Sequence, residues 1–383
     1  MWVRRSRPPP QSQGGQTVID TSKLTRFRTT AAQEIAELEP GLRIAPFTST
    51  TWVASSLLQK AIRRGDLYAA RQAGRFLLEA KREHLLRRLN IIAAEDIGMA
   101  DIETVGITAA CLASAKIRRD LGGDAVVTDY LIRRMVDARR SRAADDLLMS
   151  LERLPDLAED RTRFAAMSND RLRQIVLGCP SLDRKALALW YLVGTARCQS
   201  DHLPNRKGNP NFAFDTLADL GVAPTMVQIA RANFTKTSAM LSPFVALLSL
   251  ENGMVATGVQ DDPTPVATRI NGVPSFAFDM YTRPGRAALG RLLLRNAGMA
   301  SWAGTYLPRA NRVQVAGELL FRVEGQCLRR HAVGPLSASL RDRWHWECSG
   351  LPRDALEFGL AALKDAMPEL NAIRAEVVRE GVA

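Results

Sequence analysis

Residues 55–101 read SSLLQKAIRRGDLYAARQAGRFLLEAKREHLLRRLNIIAAEDIGMAD, and this stretch indicates how the chain folds. Leucine, isoleucine and alanine recur in it every three or four positions, as on the buried face of an α-helix. Gly65 and Gly98 stand where two of the helices end, and Asp66 and Asp101 can cap the helices that follow. The stretch therefore predicts antiparallel helices joined by short turns.

Composition also indicates a mainly α fold. Apolar residues make up 46% of the 383 residues but aromatic residues only 6%, which is more typical of packed helices than of β-sandwiches. The helical pattern continues beyond the quoted stretch, where Gly122, Gly123 and Asp124 again combine a helix end with a helix start. We predict a clamp-loader-collar-like array of antiparallel helices, followed by a second, mostly helical domain with minor β-structure.

The texture of the sequence changes twice along the chain. Residues 1–47 are rich in proline, glycine, serine and threonine, which predicts a disordered basic arm. Residues 48–185 hold the helical array. Residues 186–383 form the second domain, in which loops rich in glycine, proline and asparagine separate the helical segments. Within VATRINGVPSFAFDMYT, Asn271-Gly272 is typical of a short hairpin turn.

Positive charge dominates the polar faces of the predicted helices. The chain carries 52 Lys and Arg residues against 40 Asp and Glu, a formal charge of +12. Such a charge suits a polyanionic partner, DNA first, although a solvated surface rich in arginine is the plain alternative. The candidate nucleic-acid contacts are Arg63, Arg64, Arg71, Arg75, Arg133, Arg134, Arg139 and Arg140.

Cysteine usage and hydropathy bear on the compartment. Five cysteines, odd in number and widely spread, do not resemble the disulfide framework of a secreted protein. No apolar run approaches the roughly 18 residues that a membrane span needs. We therefore expect a cytoplasmic protein, nucleoid-associated if it binds DNA, with no membrane partner.

One span near the C-terminus combines residue types that ligate metals. Cys327 and His331 are followed by His345 and Cys348, at spacings compatible with tetrahedral zinc. Tryptophans flank His345 on both sides, however, and equally indicate a packed core. We expect no cofactor, and a structural zinc is the alternative that the spacing allows.

Two acidic residues stand at the end of the third predicted helix. A helix C-terminus favours cations, so ordinary patterning does not explain Glu95 and Asp96. Arg63, Arg87 and Arg88 lie on the same or neighbouring helices and can pair with them. We interpret the acids as part of an internal network that holds the helix packing or a subunit contact. The predicted assembly residues are Arg87, Arg88, Glu95, Asp96 and Gly98.

The same stretch resembles the helical C-terminal region of the bacterial replication-associated recombination ATPases, the RarA/MgsA family of clamp-loader relatives. That region follows the pattern S-A-L-x-K-[SA]-[IV]-R, then D-x-x-A-A, then R-R-[LM]-x-x-x-A-[SA]-E-D-I-G-[LM]-A-D. The resemblance covers about residues 50 to 150. The matching residues are Ser56, Leu58, Lys60, Ile62, Arg63, Asp66, Ala69, Ala70, Arg87, Arg88, Leu89, Ala93, Ala94, Glu95, Asp96, Ile97, Gly98, Met99, Ala100 and Asp101.

The resemblance implies a role in assembly. In that family the region follows the ATPase core, packs as a helical collar and supports oligomer formation. The present sequence contains no G-x-x-x-x-G-K-[ST] motif, so ATPase activity is not expected. We expect a non-enzymatic scaffold in DNA replication, recombination or repair that forms a homo-oligomer or joins a separate AAA+ ATPase and contacts DNA.

Two alternatives from other functional classes stay open. The chain is an enzyme if Asp279, Arg283, His331 and His345 of the second domain form a site. It is an RNA-binding protein if the basic helices and Trp344 and Trp346 bind and stack on bases.

Overall fold

The first part of the chain folds into helices whose ends follow the capping signals of the sequence. The structure is a computed structural model that describes residues 24–39, 44, 45 and 47–381. Within this part the fold is mainly α, as predicted, with nineteen α-helices and two small antiparallel sheets. The first six helices are α1 (Thr25–Ala36), α2 (Thr51–Arg64), α3 (Leu67–Ile92), α4 (Ile102–Cys111), α5 (Ala115–Asp120) and α6 (Asp124–Asp137).

The predicted turns on both sides of α3 are confirmed. Gly65 ends α2 at a φ of +69°, a backbone region that glycine enters without strain. Asp66 then caps α3, and its carboxylate accepts a 3.0 Å hydrogen bond from the Ala69 amide. Asp101 caps α4 in the same way through the Thr104 amide, also at 3.0 Å. Short side-chain caps thus set the helix boundaries in this region.

The Asp66 cap can be tested by substitution. Asp66→Ala removes the acceptor of the Ala69 amide and is expected to lower the free energy of unfolding by about 1 kcal/mol. Asp66→Asn keeps a capping oxygen and serves as the control, with an expected loss below about 0.5 kcal/mol. Urea denaturation followed by circular dichroism measures both. Equal losses in the two variants would contradict a capping role.

α3 is longer than the apolar pattern predicts. The sequence predicts a second and a third helix between Asp66 and Gly98, whereas the structure has one α-helix of 26 residues there. The helix bends at Lys81, whose φ of −154° and ψ of 69° are not helical. Leu77 and Leu85 are buried in the same core on the two sides of the bend. The kink lets both halves of α3 pack on one core.

The predicted disordered arm is corrected where α1 forms. Phe27 is buried with its ring against Gly106 of α4, where a Cβ would lie only 2.7 Å from the ring. Glu34 of α1 accepts a 2.5 Å hydrogen bond from Arg134 of α6. One aromatic anchor and one ion pair therefore order a segment whose composition did not indicate a helix. Residues 1–23, 40–43 and 46 of the predicted arm lie outside the described residues.

A second hydrophobic core is formed by helices from the middle of the sequence. It is formed by α7 (Ala143–Arg153), α8 (Ala158–Ala165), α9 (Asn169–Gly178), α10 (Leu182–Val193), α11 (Pro210–Asp219), α12 (Pro224–Thr237) and α13 (Leu241–Leu248). Leu147 of α7 and Trp190 of α10 belong to this same core, so it spans the predicted domain boundary at residue 185.

The last six helices contain a third core. They are α14 (Arg283–Arg295), α15 (Ala297–Tyr306), α16 (Arg312–Leu320), α17 (Pro335–Glu347), α18 (Arg353–Asp365) and α19 (Met367–Arg379). Trp302 of α15 is buried at its centre. α17 instead packs on α7, and its Leu340 and Trp344 enter the second core.

The strands are short and join distant parts of the chain. They are β1 (Gly258–Gln260), β2 (Arg269–Ile270), β3 (Val273–Pro274) and β4 (His331–Val333). β2 and β3 form an antiparallel hairpin through Asn271 and Gly272, both with positive φ, which confirms the predicted turn. β1 pairs with β4, and the Ala332 amide of β4 also donates to the Arg140 carbonyl at 2.9 Å.

In the part of the chain that the structure describes, none of the helices combines the length and the apolar character that crossing a bilayer requires.

Candidate functional site

One face of α2 is polar and yet buried. Ser56, Lys60 and Arg63 are spaced four and three residues apart, so the three side chains lie on one side of the helix. Each of them is at most 9% exposed, and so is Gln59 beside them. Buried polar and charged side chains are costly unless they are paired. Distant segments of the chain supply the partners of this face.

The first partners come from a π-turn at the end of α3. The turn comprises Ala93–Ile97 and contains both Glu95 and Asp96. Gly98 follows at a φ of +50°, and a Cβ there would stand 3.0 Å from the Ser141 carbonyl oxygen. The Ser141 amide in turn donates to the Asp96 carbonyl at 3.0 Å. Gly98 therefore permits the close approach of the chain segment that carries the next cation.

Arg63 and Arg142 hold the two acids from opposite sides. The Arg63 Nε donates to Asp96 at 2.7 Å and its Nη2 to Glu95 at 2.8 Å. Arg142 Nη1 donates to the same carboxylates at 2.8 Å and 3.0 Å, and Arg142 Nη2 binds Asp145. We call Arg63, Glu95, Asp96, Arg142 and Asp145 the central ion network.

The network also explains why acids stand at a helix C-terminus. The dipole of α3 disfavours anions there by about 0.3–1 kcal/mol. Two guanidinium groups with charge-assisted hydrogen bonds outweigh that term. Asp96 is fully buried, so its charge is neutralised inside the protein rather than by water. The interpretation of Glu95 and Asp96 as an internal Arg-carboxylate network agrees with this geometry.

A second π-turn closes the network from the C-terminal part of the chain. It comprises Phe321–Gly325 and directly follows α16. The Gly325 carbonyl accepts a 2.6 Å hydrogen bond from Arg63 Nη1. The Phe321 ring lies under both guanidiniums, 5.6 Å from Arg63 and 5.1 Å from Arg142. The network therefore joins elements from all three cores.

Burial and charge set the titration of the network. Burial alone would raise the pKa of Glu95, but Arg142, Arg63 and Arg88 lower this pKa to about 2. Burial raises the pKa of Asp145 to about 7 although Arg142 opposes the shift, and Glu95 adds to it. The two pKa shifts have opposite directions, so at falling pH the first proton is favoured at Asp145 over Glu95.

Two further buried ion pairs extend the network on its flanks. Lys60 binds Asp279, and Ser56 Oγ donates to the same carboxylate at 2.8 Å. Burial lowers the pKa of Lys60, whereas Asp279 raises it. Glu324 binds Arg374 of α19 at 2.8 Å. The cavity beside Lys60 and Asp279 has room for only about one water molecule.

Arg87 and Arg88, predicted to pair with the acids, lie elsewhere. Arg87 Nη2 donates to the Thr237 carbonyl at the end of α12, at 2.8 Å. Arg88 forms no ion pair within the described residues, although its charge helps to lower the pKa of Glu95. Arg142 takes the predicted place of these arginines. It lies within residues 50 to 150, the span that the resemblance covers, which was the available signal for it.

Two of the candidate nucleic-acid contacts are corrected. Arg63 and Arg140 are 3% and 0% exposed, so neither reaches a partner outside the folded chain. Arg140 donates to the carbonyls of Arg329 and Met135 at 2.7 Å and 3.1 Å. Both arginines stand on the polar side of a predicted helix. They are not exposed to solvent, because other parts of the fold pack over that side.

The other candidate arginines divide into paired and unpaired residues. Arg139 is exposed and has no partner among the described residues. The paired ones are Arg64 with the Glu324 carbonyl (2.9 Å), Arg71 and Arg133 with Asp129 (2.5 and 2.9 Å), Arg75 with Glu79 (3.3 Å) and Arg134 with Glu34 (2.5 Å).

The candidate zinc ligands are held by other groups. Cys327 Sγ donates to the Val323 carbonyl at 3.4 Å, and His331 lies 3.1 Å from Asp262. His345 packs edge-on against Trp346, with ring centroids 4.5 Å apart. No group of three or more metal-ligating side chains occurs between residues 24 and 381, as far as these are described. The fold thus does not assemble the proposed ligand set.

The residues of the alternative sites in the second domain have other partners in the fold. Asp279 binds Ser56 and Lys60, whereas His331 binds Asp262 and Arg341, so this carboxylate and this histidine have separate partners. Trp344 is 4% exposed and packs on Phe321, so its assignment as a stacking surface for bases is corrected. Trp346 is half-buried beneath Arg353.

A histidine near the bend of α3 has an unusual environment. Ser55 Oγ donates its one proton to the Thr51 carbonyl at 2.6 Å, so it accepts from His84 Nε2 at 2.8 Å. Burial lowers the pKa of His84 to about 4, together with the charges of Arg88, Lys81 and Arg87. At neutral pH the ring is therefore neutral and protonated at Nε2.

The titration of His84 is directly measurable. NMR of the imidazole carbons should place its pKa near 4, against about 6.5 in the unfolded chain. Because the unfolded chain binds the proton more tightly, His84 contributes stability above pH 6.5 that is lost as the pH falls toward 4. Assignment uses the His84→Gln variant. A titration midpoint near 6.5 in the native protein would contradict this environment.

Taken together, these contacts fix helices against one another and leave the charged motif residues in the interior. The chain was compared with protein-family models, with curated proteins and with solved structures, and none of the three comparisons gave a significant match.

Proposed function

We propose that this chain is a non-enzymatic helical scaffold of DNA replication, recombination or repair. In this role it forms an oligomer, or joins a separate AAA+ ATPase, and contacts DNA. One observation carries the proposal. The acids of the family-like stretch, Glu95 and Asp96, are bound inside the protein by Arg63 and Arg142, so they act in architecture and not in chemistry.

The resemblance to a clamp-loader collar supports the assembly part of the proposal. The buried face of α2 is formed by three matching positions, Ser56, Lys60 and Arg63. Two further matching positions, Glu95 and Asp96, accept hydrogen bonds from Arg63. A motif used in this way gives a rigid body, which is what a collar needs. The formal charge of +12 supports the DNA part, because phosphate contacts dominate such affinities.

Two measurements on the purified chain test the proposal. Size exclusion coupled to light scattering, at about 5 and 50 µM, reports the mass in solution, and we expect a defined oligomer. Fluorescence anisotropy with labelled single-stranded and duplex DNA reports binding at rising salt. We expect binding at about 50 mM salt. As salt is added, the logarithm of the binding constant should fall linearly with the logarithm of the salt concentration. A monomer that binds neither DNA at low salt would overturn the proposal.

A further inference from the structure

The second half of α3 carries the three cations Lys81, Arg87 and Arg88, with the neutral imidazole of His84 among them. On the second half of α3, His84 lies three residues before Arg87 and four before Arg88, and Lys81, at the bend, acts on the His84 ring together with them. No carboxylate of the described residues forms an ion pair with Lys81, Arg87 or Arg88. We call these four residues the α3 basic stripe.

The stripe differs from the basic residues on the first half of α3 and on α6. Arg71, Arg75, Arg133 and Arg134 each bind a carboxylate of this chain, so their charge is already matched. Within the stripe, burial lowers the pKa of His84, and the charges of Arg88, Lys81 and Arg87 lower it further, so the three cations lie near this ring. Charge that the fold leaves unmatched and close together is available to an anion from outside.

Parts of the stripe are held in position before any ligand arrives. Arg87 is fixed to the Thr237 carbonyl through Nη2. Arg88 is half-buried, and its Nε is buried without a hydrogen-bond partner. Ser55 fixes His84 through Nε2, which leaves the Nδ1 side of the ring without a partner among the described residues. Because these side chains are already held in place, binding a ligand costs less side-chain conformational entropy.

An exposed aromatic side chain lies on α2, close in sequence to the serine that contacts His84. Trp52 is 49% exposed and lies one helical turn before Ser55, whose hydroxyl contacts His84. An indole face next to a row of cations is the combination that binds single-stranded nucleic acid, since bases stack on the ring while phosphates meet the cations. Duplex DNA would present only the phosphates, because its bases are already stacked.

We propose that the α3 basic stripe and Trp52 form a binding surface for single-stranded DNA. Phosphates lie along Lys81, Arg87 and Arg88, and one base stacks on Trp52. The inference rests on the proposed function, which it deepens by naming the surface and the form of DNA. It reverses the sequence-based assignment, in which Arg87 and Arg88 served assembly and other arginines contacted DNA.

The test uses anisotropy with a labelled 20-nucleotide oligothymidylate and the full chain. Lys81→Ala/Arg88→Ala should weaken binding at least about tenfold at 50 mM salt. It should also lower the slope of log K against log salt by about 1.4, because each phosphate contact to a single strand adds about 0.7. The matched control is Lys116→Ala/Arg119→Ala on α5, which removes the same charge from exposed positions and should change affinity less than threefold.

A second variant separates stacking from charge. Trp52→Ala should weaken binding roughly fivefold or more while it leaves the salt slope unchanged, and Trp52→Phe should restore most of the affinity. Circular dichroism and urea midpoints establish that the variants fold. In the native protein, the His84 imidazole signals should shift on addition of the oligothymidylate.

The outcomes distinguish the two proposals. If the native chain binds the single strand but the stripe variant binds it equally well, this inference is overturned and the proposed function stands. Tighter binding of duplex DNA, or of an oligouridylate of the same length, also overturns it. If the native chain binds no DNA at low salt, both this inference and the DNA part of the proposed function fail.

Discussion

Asp96→Ala should destabilise the folded chain by about 3–5 kcal/mol. Asp96 is fully buried, and its carboxylate binds Arg63 and Arg142, which are 3% and 5% exposed. Removing it leaves two buried guanidiniums with Glu95 and Asp145 as carboxyl partners, and burial raises the pKa of Asp145 to about 7, so Asp145 is only partly ionised at neutral pH. The loss therefore reflects uncompensated buried charge rather than one missing hydrogen bond.

Urea denaturation of Asp96→Ala against the native chain measures this effect. Glu79→Ala is the control, because its pair with Arg75 is exposed on both sides, at 69% and 64%, and such pairs contribute about 0.3–0.5 kcal/mol. A loss below about 1 kcal/mol for Asp96→Ala would contradict the central ion network. Light scattering on the same variant also tells whether assembly depends on the network.

The buried pair of Glu324 and Arg374 should give a second large effect. Glu324 and Arg374 are 3% and 0% exposed, and Arg374 Nη2 lies 2.8 Å from Glu324 Oε2. Glu324→Leu leaves Arg374 without its carboxylate and is expected to lower the free energy of unfolding by about 3–5 kcal/mol. Arg374→Met should cost a similar amount, because it leaves the carboxylate buried and unpaired.

A double-mutant cycle tests whether the two losses share one cause. In Glu324→Leu/Arg374→Met both charges are gone and apolar groups fill the space, so the double variant should lose less than either single variant. The four proteins are compared by their urea midpoints. Losses that simply add would show that packing around the two side chains matters, and not their pairing.

Most helices between residues 51 and 137 were predictable from local signals. Gly65, Asp66 and Asp101 act over three or four residues, and the structure confirms these boundaries. The hairpin at Asn271 and Gly272 depends on two positive φ angles and was equally local. Such features need no knowledge of the rest of the chain, because the cap or turn residue and its partner are close in sequence.

The partners of the arginines were not predictable in the same way. A helical pattern places Arg63, Arg71 and Arg140 on polar faces, but only packing decides which faces meet solvent. Arg71 meets Asp129, whereas Arg63 and Arg140 are inside the fold. The sequence did not predict α1 for a related reason. This helix is held by the contact of Phe27 with Gly106, 79 positions away along the chain.

By itself the sequence determined the mainly α class, the positions of the caps and the presence of acids at the end of α3. Only the tertiary structure decided what those acids do. Asp96 binds Arg142 across 46 residues, and Arg63 reaches Gly325 across 262. The physical reason is that a buried charge requires a partner, while the identity of that partner depends on how helices far apart in sequence pack together.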